Sequence, residues 1–252
     1  MLYLTILLTD IRKTRSDCKF PEEWPSSYNV NLLCKKAGGL FIYASTVVKF
    51  IASEHHLSTE RLDLIILGSR DTAHEEGIDT LYIQILQLVF QGTNPSEREL
   101  YSHFRNMVGA VLLVFHPLSK ETLSNLLSHC GTPSHISTTL CFLHSLLNVP
   151  DGEDEPIRVF HKSFPDFLTN RTRCKDNRFF IDPAVHHEDI LFSCLELMKK
   201  RLKRNICHLD DYVVLDEVND LSARGEEYIG SSLEYVEHAE YNLYTTWYST
   251  LT

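Results

Sequence analysis

Apolar residues in the first third of the chain recur every three and four positions, the spacing of an amphipathic helix. This spacing predicts helices over residues 1–15 and 78–90, and residues 30–52 predict two more helices separated by Gly38-Gly39. Ser26 or Ser27 is suited to cap the first helix of that pair, and Ser58 can cap a shorter helix after it. The segment 92–95 (GTNP) then interrupts the pattern. We therefore expect a helical domain over residues 1–95.

The next block passes from helices to two short strands. Helices are predicted over 97–115, 120–127 and 133–143, and Ser119 is placed to cap the second of them. The apolar segments 146–149 and 157–160 predict strands, since an acidic turn separates them. Three helices followed by a two-stranded hairpin is the element order of a winged helix. We expect that domain over residues 96–172.

Further helices are predicted towards the C-terminus. A short helix is expected over 163–168, Asp182-Pro183 opens a long one over 184–203, and a last one is predicted from Ser231 onward. The predicted fold class is therefore mainly α: a helical bundle, then a winged-helix domain with a short β-hairpin, then C-terminal helices. Residues 173–252 form the third predicted domain, a partial second helical domain or a linker.

Composition and charge narrow the class of protein. Apolar residues make up 43% and charged residues 23%, which is typical of a folded globular chain. The net charge of −10 argues against a protein that wraps duplex nucleic acid, because phosphate neutralisation requires a basic face. The seven cysteines are odd in number and never spaced CxxC, so a disulfide framework and a zinc site are both disfavoured, and a reducing compartment is expected.

No motif for catalysis is found in the sequence. The phosphate-binding motif GxxxxGK[ST], the zinc motif HExxH and the nucleophile motif GxSxG do not occur. The adjacent pairs His55-His56 and His186-His187 would diverge on a helix, so these histidines are interpreted as capping or solvated rather than metal-binding. We expect no enzymatic activity, no catalytic residue, no metal and no membrane span.

Short motifs occur in a fixed order over residues 1–209. They are PEEWP (21–25), GGLFIYA (38–44), RLDLII (61–66), DTLYIQIL (79–86), LLVFHPLS (112–119), LHSLLNVP (143–150), PIRVFHKSFPDFL (156–168), NRFFID (177–182) and KRNICHL (203–209). In this series the chain resembles the fungal NACHT family of STAND signalling NTPases, which are NLR-like. The resemblance covers the helical domain, the winged helix and the following helices of that family. It does not cover the P-loop domain, so a truncated fragment is expected.

The resemblance implies two edges of a nucleotide site. Gly39, Leu40 and Phe41 stand at the turn that borders the adenine in the family, with Phe41 in place of the usual proline. His161 stands where a histidine at the end of the winged helix reaches the ADP phosphates. The alternative for His161 is a structural one, in which it caps the following helix or bonds a carbonyl at the strand end.

The resemblance also implies a function. We expect the non-catalytic regulatory portion of a nucleotide switch, with no cofactor in isolation and ADP or ATP in the intact family protein. The expected partners are a P-loop domain in cis or in trans and repeat or effector domains, in the cytoplasm, without membrane or nucleic acid. The alternatives are a winged-helix DNA-binding protein, which the lack of Lys and Arg over 134–145 disfavours, and a protein-interaction scaffold.

Overall fold

The computed structural model describes residues 1–53, 57–68, 74–90, 97–128 and 133–201, which divide into two compact units. Unit 1 comprises Met1–Ser102, Ser137–Pro150 and Arg158–Phe180, and unit 2 comprises His103–Ile136, Asp151–Ile157 and the described residues from Ile181 onward. The described residues are mainly helical with a two-stranded antiparallel sheet, which confirms a mainly α fold with a short β-hairpin. The winged helix and the boundaries 1–95, 96–172 and 173–252 stay predictions.

The bounds of the elements follow in chain order. The helices are α1 (Leu2–Thr14), α2 (Ser27–Ala37), α3 (Phe41–Ala52), α4 (Ser58–Leu67), α5 (His74–Val89), α6 (Glu97–Leu113), α7 (Lys120–Leu126), α8 (Pro133–Phe142), α9 (Ser163–Leu168) and α10 (Pro183–Arg201). The strands are β1 (Leu147–Asn148) and β2 (Arg158–Val159), and Leu147 pairs with Val159 in the antiparallel register.

Short polar side chains begin several helices where the sequence predicts them. The Ser26 hydroxyl accepts a hydrogen bond from the Asn29 N–H at 3.2 Å, and the Ser119 hydroxyl accepts one from the Thr122 N–H at the same distance. The Asp182 carboxylate accepts the Ala184 N–H at 3.1 Å at the start of α10. These bonds satisfy N–H groups that have no partner inside the helix.

Two predicted helix bounds differ from those of the structure. Helix α5 begins at His74, earlier than the expected Ile78. The predicted helix from Ser231 lies outside the described residues and stays a prediction. Helix α6 ends at Leu113, shortly before Pro117 and two residues before the predicted end, so Phe115 lies beyond the helix and is 58% exposed.

The buried face of α10 carries polar residues as well as apolar ones. His186 and Ser193 are buried on it, whereas Leu195 is exposed. The Ser193 hydroxyl donates to the Asp189 carbonyl at 2.7 Å, so its burial leaves no donor unsatisfied. His186 is therefore neither the solvated nor the capping histidine that the sequence predicted.

Helix α3 is the central element of unit 1, where it packs against α1, α2, α4 and α5. Its side chains Tyr43, Val47, Phe50 and Ile51 are almost completely buried. Burial of a large apolar side chain stabilises a fold by about 1.5–3 kcal/mol, so this helix anchors the unit.

The C-terminal end of α3 lies among other elements, and their side chains bond its carbonyls. Arg61 donates to the Phe50 carbonyl, and the Ser58 hydroxyl donates to the Ile51 carbonyl at 2.9 Å. Arg15 donates to the carbonyls of Ala52 and Ser53 at 3.2 and 2.7 Å. The sequence predicted that Ser58 caps its own helix, and this prediction is wrong. The Ser58 hydroxyl is directed to α3, and Leu57 precedes α4 without a side-chain cap.

The same arrangement is found at the end of α4. The Lys36 ammonium donates to the carbonyls of Ile65 and Ile66 at 3.0 and 2.8 Å. Burial lowers the pKa of Lys36, and burial also lowers the pKa of Arg61 to about 10. Both cations are thus held in partly dry surroundings by helix carbonyls, which carry the negative end of the helix dipole.

In unit 2, α7 packs against α10, and His186 of α10 lies against Gly109 of α6. A Cβ at position 109 would come within 2.5 Å of His186 Cδ2, so only glycine leaves room for the imidazole. His186 is 7% exposed, and its Nδ1 lies 3.6 Å from a carboxylate oxygen of Asp189, beyond hydrogen-bonding distance.

We predict that Ser58→Ala lowers the free energy of unfolding by about 1–3 kcal/mol, because it removes a buried donor from the Ile51 carbonyl. Urea unfolding followed by circular dichroism measures the change. Ser27→Ala is the matched control, since Ser27 is exposed, and we expect a change within about 0.5 kcal/mol there. Equal effects of the two substitutions would contradict the role given to Ser58.

We predict that His186 makes the stability depend on pH. Burial lowers the pKa of His186 from 6.5, and Arg105 adds to this effect, whereas Asp189 and Asp182 oppose it. The unfolded chain therefore binds more protons just below pH 6.5, and the free energy of unfolding falls as the pH falls through that range. One such group contributes a slope of at most about 1.4 kcal/mol per pH unit.

Urea unfolding at pH 7.5, 6.5 and 5.5 measures the free energy of unfolding of the parent chain and of His186→Gln. We expect the difference between these two free energies to shrink as the pH falls. The neighbouring substitution His187→Gln is the control, and its free energy of unfolding should depend on pH as that of the parent chain does. A pH profile of His186→Gln that parallels the parent profile would refute the prediction.

Candidate functional site

Two successive glycines with positive φ connect α2 to α3. Gly38 has φ 54° and ends α2 by donating its N–H to the carbonyls of Cys34 and Lys35, and Gly39 has φ 86°. Side chains disfavour this conformation, which explains the glycine pair. The turn leaves Leu40 and Phe41 at the start of α3, 39% and 65% exposed.

A pocket of ≈ 800 Å³ lies in unit 1 beside this turn. Its apolar lining comes from the start of α3, from α5 and from α9, namely Leu40, Ile42, Ile78, Ile83 and Phe167. Its ionisable lining consists of Asp79, His161, Arg173, Lys175 and Asp176, and hydroxyls are supplied by Thr80, Ser163 and Thr172.

The pocket brings together two of the four residues that the sequence singled out. Leu40 and His161 line it, although they are far apart along the chain. Phe41 instead contacts the ring of Tyr3 on α1, with 4.7 Å between ring centroids, and Gly39 has no atom within 4 Å of the position of a Cβ. The structure therefore joins Leu40 to His161, and Gly39 and Phe41 are not among the lining residues.

The segment that carries His161 is held by aromatic contacts on both sides. The Lys49 ammonium of α3 lies over the ring of Phe160, and burial lowers the pKa of Lys49. On the other side, the Tyr82 ring lies 5.2 Å from Phe164 and 5.7 Å from Phe167. These contacts fix His161 relative to α3 and α5 within unit 1.

His161 caps the helix that follows it. Its Nδ1 accepts the N–H of Ser163 at 3.2 Å and lies 2.8 Å from the Ser163 hydroxyl, which lies 2.8 Å from the Tyr82 hydroxyl. The structural role considered for His161 in the sequence analysis is thus present. A neutral imidazole that accepts at Nδ1 carries its proton on Nε2, so the second ring nitrogen is a donor.

Two arginine–carboxylate pairs flank the pocket. Arg173 donates from Nε and Nη2 to the two oxygens of Asp79 at 2.9 and 2.6 Å. Arg178 binds Asp176 in a similar way, with a shortest distance of 2.7 Å, and holds the pKa of Asp176 below its usual value. The bond to Asp79 raises the pKa of Arg173. Both pocket carboxylates are therefore engaged by arginines.

Sequence reasoning missed Asp79, Arg173 and Lys175. The basic segment 171–178, RTRCKDNR, is a signal that could have been used, because four cations lie within eight residues. Nothing in the sequence, however, indicates that this segment reaches α5. That proximity depends on the packing of α9 against Tyr82.

We predict opposite effects of alanine at two glycines of unit 1. Gly39→Ala should destabilise the chain by about 1–2 kcal/mol, since φ is +86° although space is available for a Cβ. Gly77→Ala in α5 should stabilise it by about 0.5–1 kcal/mol, because its Cβ would make an ordinary contact 3.5 Å from the Lys36 carbonyl. Thermal unfolding measures both, and a shift of the same sign for the two variants would contradict the prediction.

Among the described residues no group of three or more His, Cys, Asp and Glu side chains could hold a metal ion, and no helix there is long and apolar enough to cross a membrane. Comparison with known proteins gives no match to a family model, to a curated protein or to a solved structure.

Proposed function

We propose that the chain is the non-catalytic regulatory portion of a NACHT-type nucleotide switch, in which unit 1 forms one wall of an ADP site. The single observation that carries this proposal is that Leu40 and His161, the two edges implied by the resemblance, line one pocket of ≈ 800 Å³. Pockets of about 300–1,000 Å³ are typical of small-molecule sites.

The chemistry of the pocket supports a nucleotide. Leu40 and Ile42 offer apolar surface of the kind that contacts a purine ring. His161 offers an N–H donor at Nε2, and Lys175 is an exposed ammonium without an ion pair among the described residues. A diphosphate would gain charge-assisted hydrogen bonds from such groups.

The proposal assigns no hydrolysis to this chain. The sequence has no GxxxxGK[ST] segment to hold the phosphates and magnesium, so a P-loop domain, in cis or in trans, would supply the remainder of the site. In such a switch the bond from His161 to the diphosphate would form in the closed state and be lost on opening. The chain would therefore regulate through its differential contacts with ADP in the two states.

We expect ADP to bind more tightly to a complex of this chain with a NACHT-type P-loop domain than to either component. We expect His161→Ala to weaken that binding by roughly tenfold or more, because a hydrogen bond to a charged group is worth about 1.5–3 kcal/mol. Isothermal titration calorimetry with ADP measures both effects.

His116→Ala is the matched control, since His116 is exposed and belongs to unit 2. ADP affinity that is the same for His161→Ala and for the parent complex would reject the proposed role of the pocket. Duplex DNA binding by the chain alone, falling steeply with added salt, would favour the winged-helix DNA-binding alternative.

A further inference from the structure

The charges that line the pocket are not equally engaged. Asp79 is bonded by Arg173 through two donors, and Asp176 is bonded by Arg178. Both carboxylates are thus occupied by arginines. The ammonium of Lys175 has no ion pair among the described residues and adds a positive charge. The free binding capacity of the lining is therefore for an anion.

The Asp79–Arg173 pair uses one edge of the guanidinium. Nε and Nη2 donate to the two oxygens of Asp79, whereas Nη1 has no hydrogen-bond partner among the described residues. A guanidinium has five N–H donors in a planar fork that fits the oxygens of phosphate. Arg173 consequently retains donors for an oxyanion and is already ordered by Asp79.

The pair is also accessible to solvent. The side chain of Arg173 is 30% exposed and that of Asp79 is 17% exposed. Water can therefore solvate Asp79 if the guanidinium turns away from it, which lowers the cost of an exchange of partners compared with a fully buried pair.

We infer that Arg173 and Lys175 form a phosphate-type oxyanion site, and that Asp79 is its internal competitor. Without a ligand, Asp79 occupies the guanidinium and its negative charge disfavours a second anion nearby. With a ligand, phosphate oxygens take donors of Arg173, and Lys175 supplies the second cation. This inference rests on the proposed function, since the pocket is the same. It adds that an anion has to displace Asp79 from Arg173, so that weakly binding anions are excluded from the site.

The test uses the full chain and inorganic pyrophosphate as the probe, measured by isothermal titration calorimetry at constant ionic strength. We expect Asp79→Asn to raise the affinity about tenfold, because it removes the competing charge and releases the guanidinium. Arg173→Gln should lower the affinity about tenfold or more. In the background of Arg173→Gln, Asp79→Asn should produce a smaller gain, because only the direct repulsion by Asp79 is then removed and no guanidinium is released.

Asp63→Asn is the matched control, since Asp63 is an exposed carboxylate of α4 that does not line the pocket. Lys175→Ala changes an exposed side chain and keeps the inference testable if Arg173→Gln does not fold: it should weaken pyrophosphate binding several-fold. Circular dichroism verifies the fold of each variant. Unchanged affinity in folded Lys175→Ala, or in Arg173→Gln where it folds, would overturn the inference.

Titrations with succinate and with inorganic phosphate identify the class of anion that binds. Succinate binding as tight as pyrophosphate binding would overturn the assignment to phosphate-type anions, whereas binding of phosphate and pyrophosphate alone supports it.

The ADP and pyrophosphate measurements together separate the two proposals. Arg173-dependent pyrophosphate binding without ADP binding in the complex would keep the oxyanion site and remove the nucleotide switch. ADP binding that depends on His161 but not on Arg173, Lys175 and Asp79 would keep the nucleotide switch and reject the oxyanion site.

Discussion

The fold of unit 1 depends on how the C-terminal carbonyls of two central helices are satisfied. A helix end inside a packed unit exposes carbonyls that water cannot fully reach, and an unbonded buried carbonyl is costly. Arg15, Ser58 and Arg61 supply donors to the end of α3, and Lys36 supplies them to the end of α4. These donors come from other elements, so the bonds hold the helices in a fixed arrangement as well as satisfying the carbonyls.

That arrangement determines the geometry of the pocket. Because the end of α3 is fixed, its beginning is fixed as well, and Leu40 follows the glycine turn at the pocket rim. Helix α5 packs on α3 and brings Asp79 and Tyr82, and Tyr82 in turn bonds Ser163 beside His161. A short chain of contacts thus connects the core of the unit to Leu40, Asp79 and His161.

The sequence predicts the parts of this structure that depend on local spacing. Helical periodicity, Ser26, Ser119 and Asp182-Pro183 indicate elements that the structure contains, because caps and amphipathic faces are local properties. Sequence reasoning fails where a side chain serves a distant element. Ser58 resembles a cap but bonds α3, His186 resembles a solvated residue but is buried against Gly109, and Arg173 has no local signal for its partner Asp79. In each case the deciding contact is non-local.

The separation between Asp79 and Arg173 has a consequence for the order in which the unit acquires its interactions. The two residues are 94 positions apart, so their pairing closes a long loop of the chain. The entropy lost on closing such a loop rises with its length, and a single ion pair at a partly exposed position cannot offset it. The pair therefore forms because packing of the surrounding helices already offsets the entropy lost on closing the loop. It is a late contact that reports on the assembled unit, and it is absent from any partly folded chain in which α5 and the segment after α9 have not yet met.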